Sequence, residues 1–199
     1  MKILLVGASG TLGQAVAGLL SRKHDVIAAS RRSETHPVDL RDDASVRALF
    51  ERTGPLDAIV ATTGNVHFGP LDAMDAAQFD AGLQDKLLGQ VRLALVGQHH
   101  LRDGGSITLT TGILAEQPIA HGANATAVNA AIEGFVRAAA CELPRGLRIN
   151  AVSPNVLQEA WDAYADYFPG FEPVSAARAA IAYQRSVEGI QSGQVFKVW

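Results

Sequence analysis

Val6-Gly7-Ala8-Ser9-Gly10-Thr11-Leu12-Gly13 decides how the rest of the chain is read. It closes a short apolar run, Lys2 to Val6 (KILLV), and opens a stretch from Thr11 to Arg22 with helical character. At a strand-to-helix junction of this kind, Gly7 allows the tight turn. Gly10 lets the backbone approach a pyrophosphate, and Gly13 lets the helix pack closely on the strand. The helix N-terminus adds free N–H groups and a partial positive charge, so Gly7, Ser9, Gly10, Thr11, Leu12 and Gly13 together read as an anion cradle.

The same alternation continues outward from this turn. Val26 to Ser30, Asp57 to Ala61, Ser106 to Thr110, Arg148 to Val152 and Gln194 to Val198 read as further short apolar strands. Between them lie helical stretches at Thr11 to Arg22, Ala44 to Arg52, about 76 to 101, about 124 to 143 and Ser175 to Ser186. Apolar strands joined by helices call for a parallel sheet covered on both faces, because parallel neighbours need crossover connections. The fold class is therefore α/β, a doubly wound parallel sheet of Rossmann type, expected as a single domain over residues 1–199. Pro154 to Pro173 carries Trp161, Tyr164, Tyr167, Phe168 and Phe171 and is expected as helix and loop over the C-terminal edge of the sheet.

Composition excludes several classes of protein. The 199 residues hold 17 Lys and Arg against 20 Asp and Glu, a formal charge of −3, so no basic footprint suggests nucleic acid or an anionic membrane. No run approaches the roughly 20 apolar residues needed to cross a bilayer. A lone Cys141 permits no internal disulfide, and no signal-peptide pattern follows the N-terminus, which points to the cytoplasm. Cys141, in an Ala-rich helical stretch, is expected as a small buried residue. His99-His100 lacks companion ligands, so no metal is expected.

The second strand narrows the ligand. It ends Ala28-Ala29-Ser30-Arg31-Arg32, where many NAD-binding folds place an acidic residue for the ribose 2′-hydroxyl. Guanidinium groups there suit a 2′-phosphate, which favours NADP over NAD, with Ser30, Arg31 and Arg32 as its contacts.

With these residues in place, the chain resembles the short-chain dehydrogenase/reductase family over nearly its whole length. Asp39-Leu40 look like the family's pair beside the adenine. Ala61-Thr62-Thr63-Gly64 departs from the family's Asn-Asn-Ala-Gly and keeps its last Gly, which implicates Thr62 and Gly64. Arg145 to Pro154 leads to the loop by the nicotinamide, which implicates Pro154, and Ser192-Gly193-Gln194-Val195 recurs near the end. Relatives in the family carry more chain after Pro154, so a reduced lid is expected here.

The resemblance implies a tetrad of Asn, Ser, Tyr and Lys, and none of the four is present. Anchored on Gly105-Ser106-Ile107, the Ser position falls on Gly112, just after Thr110 and Thr111. Counted back from Ala130 to Phe135, the Tyr and Lys positions fall on Ala125 and Asn129, while the Asn position is occupied by Lys86. Lys and Asn have exchanged places. If the two helices face each other, Lys86 supplies the ammonium from the opposite side and Asn129 hydrogen-bonds the ribose. A desolvated Lys86 can exchange protons near neutrality. Thr111 is a candidate to hydrogen-bond a substrate oxygen, and His121 is a weaker candidate acid. Lys86, Thr111 and Asn129 are thus the candidate catalytic residues.

The resemblance implies an NADP(H)-dependent oxidoreductase acting on a small-molecule carbonyl or alcohol. The lost proton donor supports the alternative, a weakly active or inactive NADP(H)-binding sensor or regulatory module. A homo-oligomer is expected through the two long helices near 76–101 and 124–143, whose small residues allow close approach.

Overall fold

The computed structural model describes residues 1–199. Six parallel strands form one sheet: β1 (Lys2–Val6), β2 (Asp25–Ala29), β3 (Leu56–Ala61), β4 (Leu101–Thr110), β5 (Arg148–Pro154) and β6 (Val195–Val198). Their order is β2-β1-β3-β4-β5-β6, each neighbouring pair parallel. The α/β, doubly wound reading of the sequence is the fold found.

The continuously apolar strands are buried on both faces. Ile3 and Leu5 of β1 and Ala58 and Val60 of β3 meet one layer, built from α1 (Thr11–Leu20) and α7 (Ala176–Glu188). Leu4, Val6, Ile59 and Ala61 point the other way, into a core shared with α2 (Asp43–Thr53), α4 (Gly89–Gly97) and α5 (Ala123–Glu142). This is the period-2 alternation of a strand with apolar residues on both sides. β2 is the exception. It lies at the sheet edge, so Asp25 and Ala28 stay exposed.

Two boundaries and the burial of one residue differ from the sequence reading. The expected helix from 76 to 101 is α3 (Ala76–Gly82), a π-helical segment over Leu83–Leu88, and α4, which ends at Gly97. Leu101 instead begins β4, because it pairs with Leu56. A shift in register between Leu56 and Ala58 then absorbs the polar residues Arg102 to Gly105. Cys141 is exposed, not buried: it lies one turn from Arg137 on the outer side of α5, whose inner side carries Val128, Ile132 and Val136. The stretch after Pro154 forms a single helical turn, α6 (Trp161–Tyr164), between 3-10 turns, with Phe168 buried against Ile113, Leu114 and Ala125. No helix is long and apolar enough to cross a membrane.

The strand order sets the position of the site. The chain runs outward from β1 to β2 and then returns past β1 to β3, so the C-terminal ends of β1 and β3 flank a switch point. Open α/β sheets bind ligands in that crevice.

Candidate functional site

The glycine turn fills one side of the crevice. Gly7 sits at φ +89°, and a Cβ there would lie 2.7 Å from the Thr62 carbonyl oxygen. A Cβ on Gly13 would come within 2.1 Å of the Gly7 oxygen, so both glycines are dictated by the backbone itself. Gly10 differs. Its Cβ would meet only the Gly7 oxygen at 3.5 Å, so nothing in the protein forbids a side chain there. A ligand that approaches the backbone would.

The helices α2, α3 and α7 are capped by the side chains of Asp42, Asp75 and Ser175, whereas Gly10 leaves α1 without a side-chain cap. The N–H groups of Ser9, Thr11, Leu12 and Gly13 therefore find no acceptor in the chain, a site ready for an anion. The crevice encloses about 550 Å³. Of the residues singled out in the sequence, Gly7, Ser9, Gly10, Ser30, Arg31, Arg32, Asp39, Leu40, Thr62 and Gly64 line it. Thr11, Leu12 and Gly13 do not line it; they form the first turn of α1, directly after Gly10. Pro154 stands apart, as the last residue of β5, opposite Val198.

Sequence reading missed Arg41, Asn65 and Asp85, which also line the crevice. Arg41 grips Asp39 through two nitrogens, at 3.0 and 2.6 Å, and this pairing holds the Asp39 carboxyl down at about 2. Asp85 accepts hydrogen bonds from the Asn65 backbone N–H at 3.2 Å and side chain at 3.1 Å, and lies 3.7 Å from the Arg31 guanidinium. Nearness in sequence was the available signal, since Arg41 follows Asp39 by two and Asp85 precedes Lys86.

The π-helical segment sets Lys86 at the crevice's inner end. Such insertions are common where a helix must aim a functional side chain. Gln90 pins the segment: its side-chain amide donates to the Thr110 carbonyl at 2.8 Å and to the Lys86 carbonyl at 3.2 Å, and accepts from the Thr110 N–H at 2.7 Å. Asn124, fully buried, ties the neighbouring loop down by accepting from the His67 N–H and donating to the Phe79 carbonyl. Gly64, at φ +125°, packs so closely on Lys86 that a Cβ would lie 2.4 Å from its Cγ.

Lys86 donates from Nζ to the Thr111 carbonyl at 3.2 Å. The residue keeps a sliver of surface, yet the ammonium is desolvated, and that burial pulls its pKa from the ordinary lysine value down to about 8. Thr111 is the bridge to the opposite helix. Its hydroxyl donates to the Asn129 carbonyl at 3.0 Å and to the Glu133 carboxyl at 3.2 Å. The hydroxyl is thus committed inward, where the sequence had offered it to a substrate. The carbonyl, one atom set of the same residue, faces Lys86 instead.

Asn129 lies beside Gly112, its amide nitrogen 3.1 Å from where a Gly112 Cβ would stand, and its Oδ1 is buried without a hydrogen-bond partner. A buried orphan acceptor is costly unless a ligand satisfies it. Ala125, one turn earlier, packs into the apolar cluster and carries no proton. Glu133, 5% exposed, was not anticipated; burial raises its pKa. His121 is exposed, at φ +63°, with its ring edge-on to Tyr167. His100 stacks on Phe50 at 5.0 Å, a packing contact far from the crevice.

A single parallel sheet covered by helices, with a glycine turn at its switch point, defines an α/β protein of Rossmann type. A family model described as enoyl-(acyl carrier protein) reductase matches residues 13–196, and the chain belongs to the short-chain dehydrogenase/reductase family of oxidoreductases. The protein lin1944 from Listeria innocua is 47% identical over 100% of both chains, with a TM-score of 0.98. A small-chain dehydrogenase solved in complex with NADPH is 28% identical over 100% of this chain and 96% of its own, with a TM-score of 0.89. Hydroxynaphthalene reductase arp2 of Aspergillus fumigatus is 28% identical over 137 residues, 67% of this chain and 50% of its own length. The chain spans about half the length of the first of these curated relatives.

Proposed function

We propose that the protein is an NADP(H)-dependent oxidoreductase that interconverts a carbonyl compound and an alcohol, with Lys86 as the proton-exchanging group. The observation that carries this reading is the convergence of Lys86, Thr111 and Asn129 at the inner end of the crevice, with one desolvated ammonium and one orphan acceptor between them.

The residues present fit a dinucleotide. The unpartnered N–H groups of α1 would hold the pyrophosphate, and Arg31 with Arg32 the 2′-phosphate. Asn129 Oδ1 would accept from a ribose hydroxyl. When bound, the nicotinamide supplies a hydride to the carbonyl carbon. Lys86 donates a proton from Nζ to the carbonyl oxygen, which completes the alcohol, and the neutral amine is recharged from water. A group with a pKa of about 8 is mostly charged at pH 7 yet gives up its proton readily, as a general acid must. Thr111 holds Nζ in place through its carbonyl while its hydroxyl anchors α5.

The complex of a 28% identical relative with NADPH supports the choice of cofactor. The test is a pH profile of NADPH oxidation with a carbonyl panel. Reduction is expected to fall as pH rises through about 8, and to drop at least a hundredfold in Lys86→Met with little change in NADPH affinity. NADPH binding without turnover of any carbonyl or alcohol would favour the sensor reading, which the apolar Ala125 at the family's proton-donor position supports. For assembly, we propose pairing of two copies through α4 and α5, where an apolar groove of about 320 Å³ includes Leu95, Phe135 and Leu143 and where Leu95 is 51% exposed.

A further inference from the structure

Beyond Lys86, three segments rise over the C-terminal ends of the strands: 62–85 after β3, 111–122 after β4 and 155–173 after β5. The first two are tied by the Gly69 N–H donating to the His121 carbonyl at 3.0 Å, and both meet the third through Tyr167, whose ring contacts Phe68 and His121. Their facing side chains are aromatic. The Phe68 ring stands 6.0 Å from Tyr164 and 5.6 Å from Tyr167, and Phe168 meets Phe171 edge-on at 5.4 Å. Tyr164 and Tyr167 remain 39% and 37% exposed, so this wall is not sealed into the core. Against it lies a hollow of about 580 Å³ whose lining includes Ile119, His121, Asp166, Tyr167 and Phe171.

The charge of these segments is one-sided. They contain nine Asp and Glu and no Lys or Arg at all. Of the cations on adjoining elements, Lys197 of β6 is held by Glu116 at 2.7 Å and covers the Trp199 ring, and Lys86 donates to the Thr111 carbonyl, so neither stands free for an incoming anion. Asp162, Asp166 and Glu172 stand on the 155–173 segment with no cation paired to them. Arg31, Arg32 and Arg41 line the separate crevice at the glycine turn.

We infer that the substrate is an uncharged aromatic carbonyl compound, seated in this hollow against Tyr167 and Phe171, and that this mouth turns away carboxylates, phosphates and acyl groups carried on coenzyme A or on an acidic carrier protein. This rests on the oxidoreductase reading of the Lys86 site. The rings supply area and edge-to-face contacts for a flat ligand. The unpaired carboxylates give a field that enriches neutral and cationic molecules and repels anions. Three such charges at about 8 to 10 Å across water amount to roughly tenfold in affinity. An acidic carrier needs a basic landing surface, and none is present around this opening.

The experiment uses one scaffold in three charge states: acetophenone, 4-acetylbenzoate and 4-acetyl-N,N,N-trimethylanilinium, with acetoacetyl-CoA as a carrier thioester. Binding is followed by saturation-transfer NMR on the full-length protein with NADPH, and reduction by NADPH absorbance. The neutral and cationic ketones are expected to bind at least tenfold more tightly than the benzoate, a gap that narrows in 0.5 M salt. Asp166→Lys is expected to raise benzoate affinity severalfold. Tyr167→Ala is expected to weaken acetophenone by about tenfold and leave NADPH binding unchanged. Benzoate or acetoacetyl-CoA binding as well as acetophenone overturns the inference, and so does the absence of any aromatic binding. The charge preference without NADPH oxidation leaves the substrate class standing and removes the oxidoreductase reading. NADPH oxidation with aliphatic ketones alone does the reverse.

Discussion

The two ends of the crevice are built by opposite means. At the phosphate end the backbone dictates the residues: Gly7 and Gly13 are required by contacts to main-chain atoms, and the ligand groups are N–H donors of the chain itself. At the Lys86 end, side chains from β4, α5 and the π-helical segment do the work, and each depends on another to hold its place. A site made of backbone tolerates wide change elsewhere in the sequence. A site made of side chains holds only while each of its partners stays in place.

The largest expected effect breaks the backbone end. Gly13→Ala puts a Cβ 2.1 Å from the Gly7 oxygen and 2.8 Å from Ala8 Cα, neither of which can swing aside. Overpacking of this kind costs about 1–3 kcal/mol and more where backbone must move, so the melting temperature should drop by about 5–10 °C and NADPH binding should vanish. Gly10→Ala is the control that separates folding from function. It meets only an ordinary contact at 3.5 Å, so its melting temperature should stay within about 2 °C of the parent while NADPH affinity falls at least tenfold. Undiminished NADPH affinity in Gly10→Ala would remove the pyrophosphate from this turn.

The same contrast explains what the sequence could disclose. The strand and helix alternation, the glycine turn and the Arg31 and Arg32 pair are local patterns: the sheet and the turn form as read, and both arginines line the crevice. The site around Lys86 is not local. Residue 86 meets 111, 111 meets 129 and 133, and 90 meets 110, so the arrangement exists only once three segments have packed. Lys86 was flagged by its place in a family pattern. Nothing in its neighbourhood announced a π-helical segment, or that Thr111 would turn its hydroxyl inward. Cys141 was misplaced because an Ala-rich helix has little apolar contrast between its faces, and only the packing of Ile132 and Val136 settles which side is buried.

Lys86 offers the next test, because a functional group kept in an unfavourable setting leaves a mark on stability. Its folded pKa of about 8 lies below the ordinary value of 10.5, so the charged form is disfavoured in the fold. The cost is fully present below about pH 8, shrinks as pH rises, and is gone above about pH 10.5, where both states are neutral. The shift corresponds to about 3 kcal/mol at pH 7. Lys86→Met should therefore be more stable than the parent by about 1–3 kcal/mol at pH 7, and the gain should disappear near pH 10.5. Denaturant melts at the two pH values decide it, and a variant less stable at pH 7 would mean that the ammonium is better solvated than its packing indicates.

A smaller effect is expected where side chains serve the phosphate end. Arg31→Ala should raise the NADPH dissociation constant about tenfold and leave NADH unchanged, since only the 2′-phosphate loses a partner. Arg31 is 53% exposed and only 3.7 Å from Asp85, a contact worth little by itself. Asp85→Asn should therefore keep the fold, and it should leave NADPH affinity equal or a few times tighter by freeing the guanidinium. Calorimetric titrations with both cofactors check each variant, and equal losses for NADH and NADPH in Arg31→Ala would place the 2′-phosphate elsewhere.

Glu133→Gln probes the far support of the Lys86 end and should do least. The carboxyl accepts from the Thr111 hydroxyl at 3.2 Å, and Arg137 approaches its other oxygen at only 3.7 Å from a mostly exposed position. Burial raises its pKa, so the ionised form is the one the fold disfavours. That penalty grows as pH rises above the unfolded value of about 4.3 and is absent below it, where both states are protonated. Gln keeps an acceptor for Thr111 and removes the buried charge. The variant should match the parent within about 1 kcal/mol at pH 7, with any gain lost by pH 4. Its carbonyl reduction should stay within about threefold, because Thr111 still holds Lys86 by a carbonyl that Glu133 does not touch. A large loss of turnover with an intact melting temperature would show that the Glu133 charge, and not only its shape, reaches the reacting end.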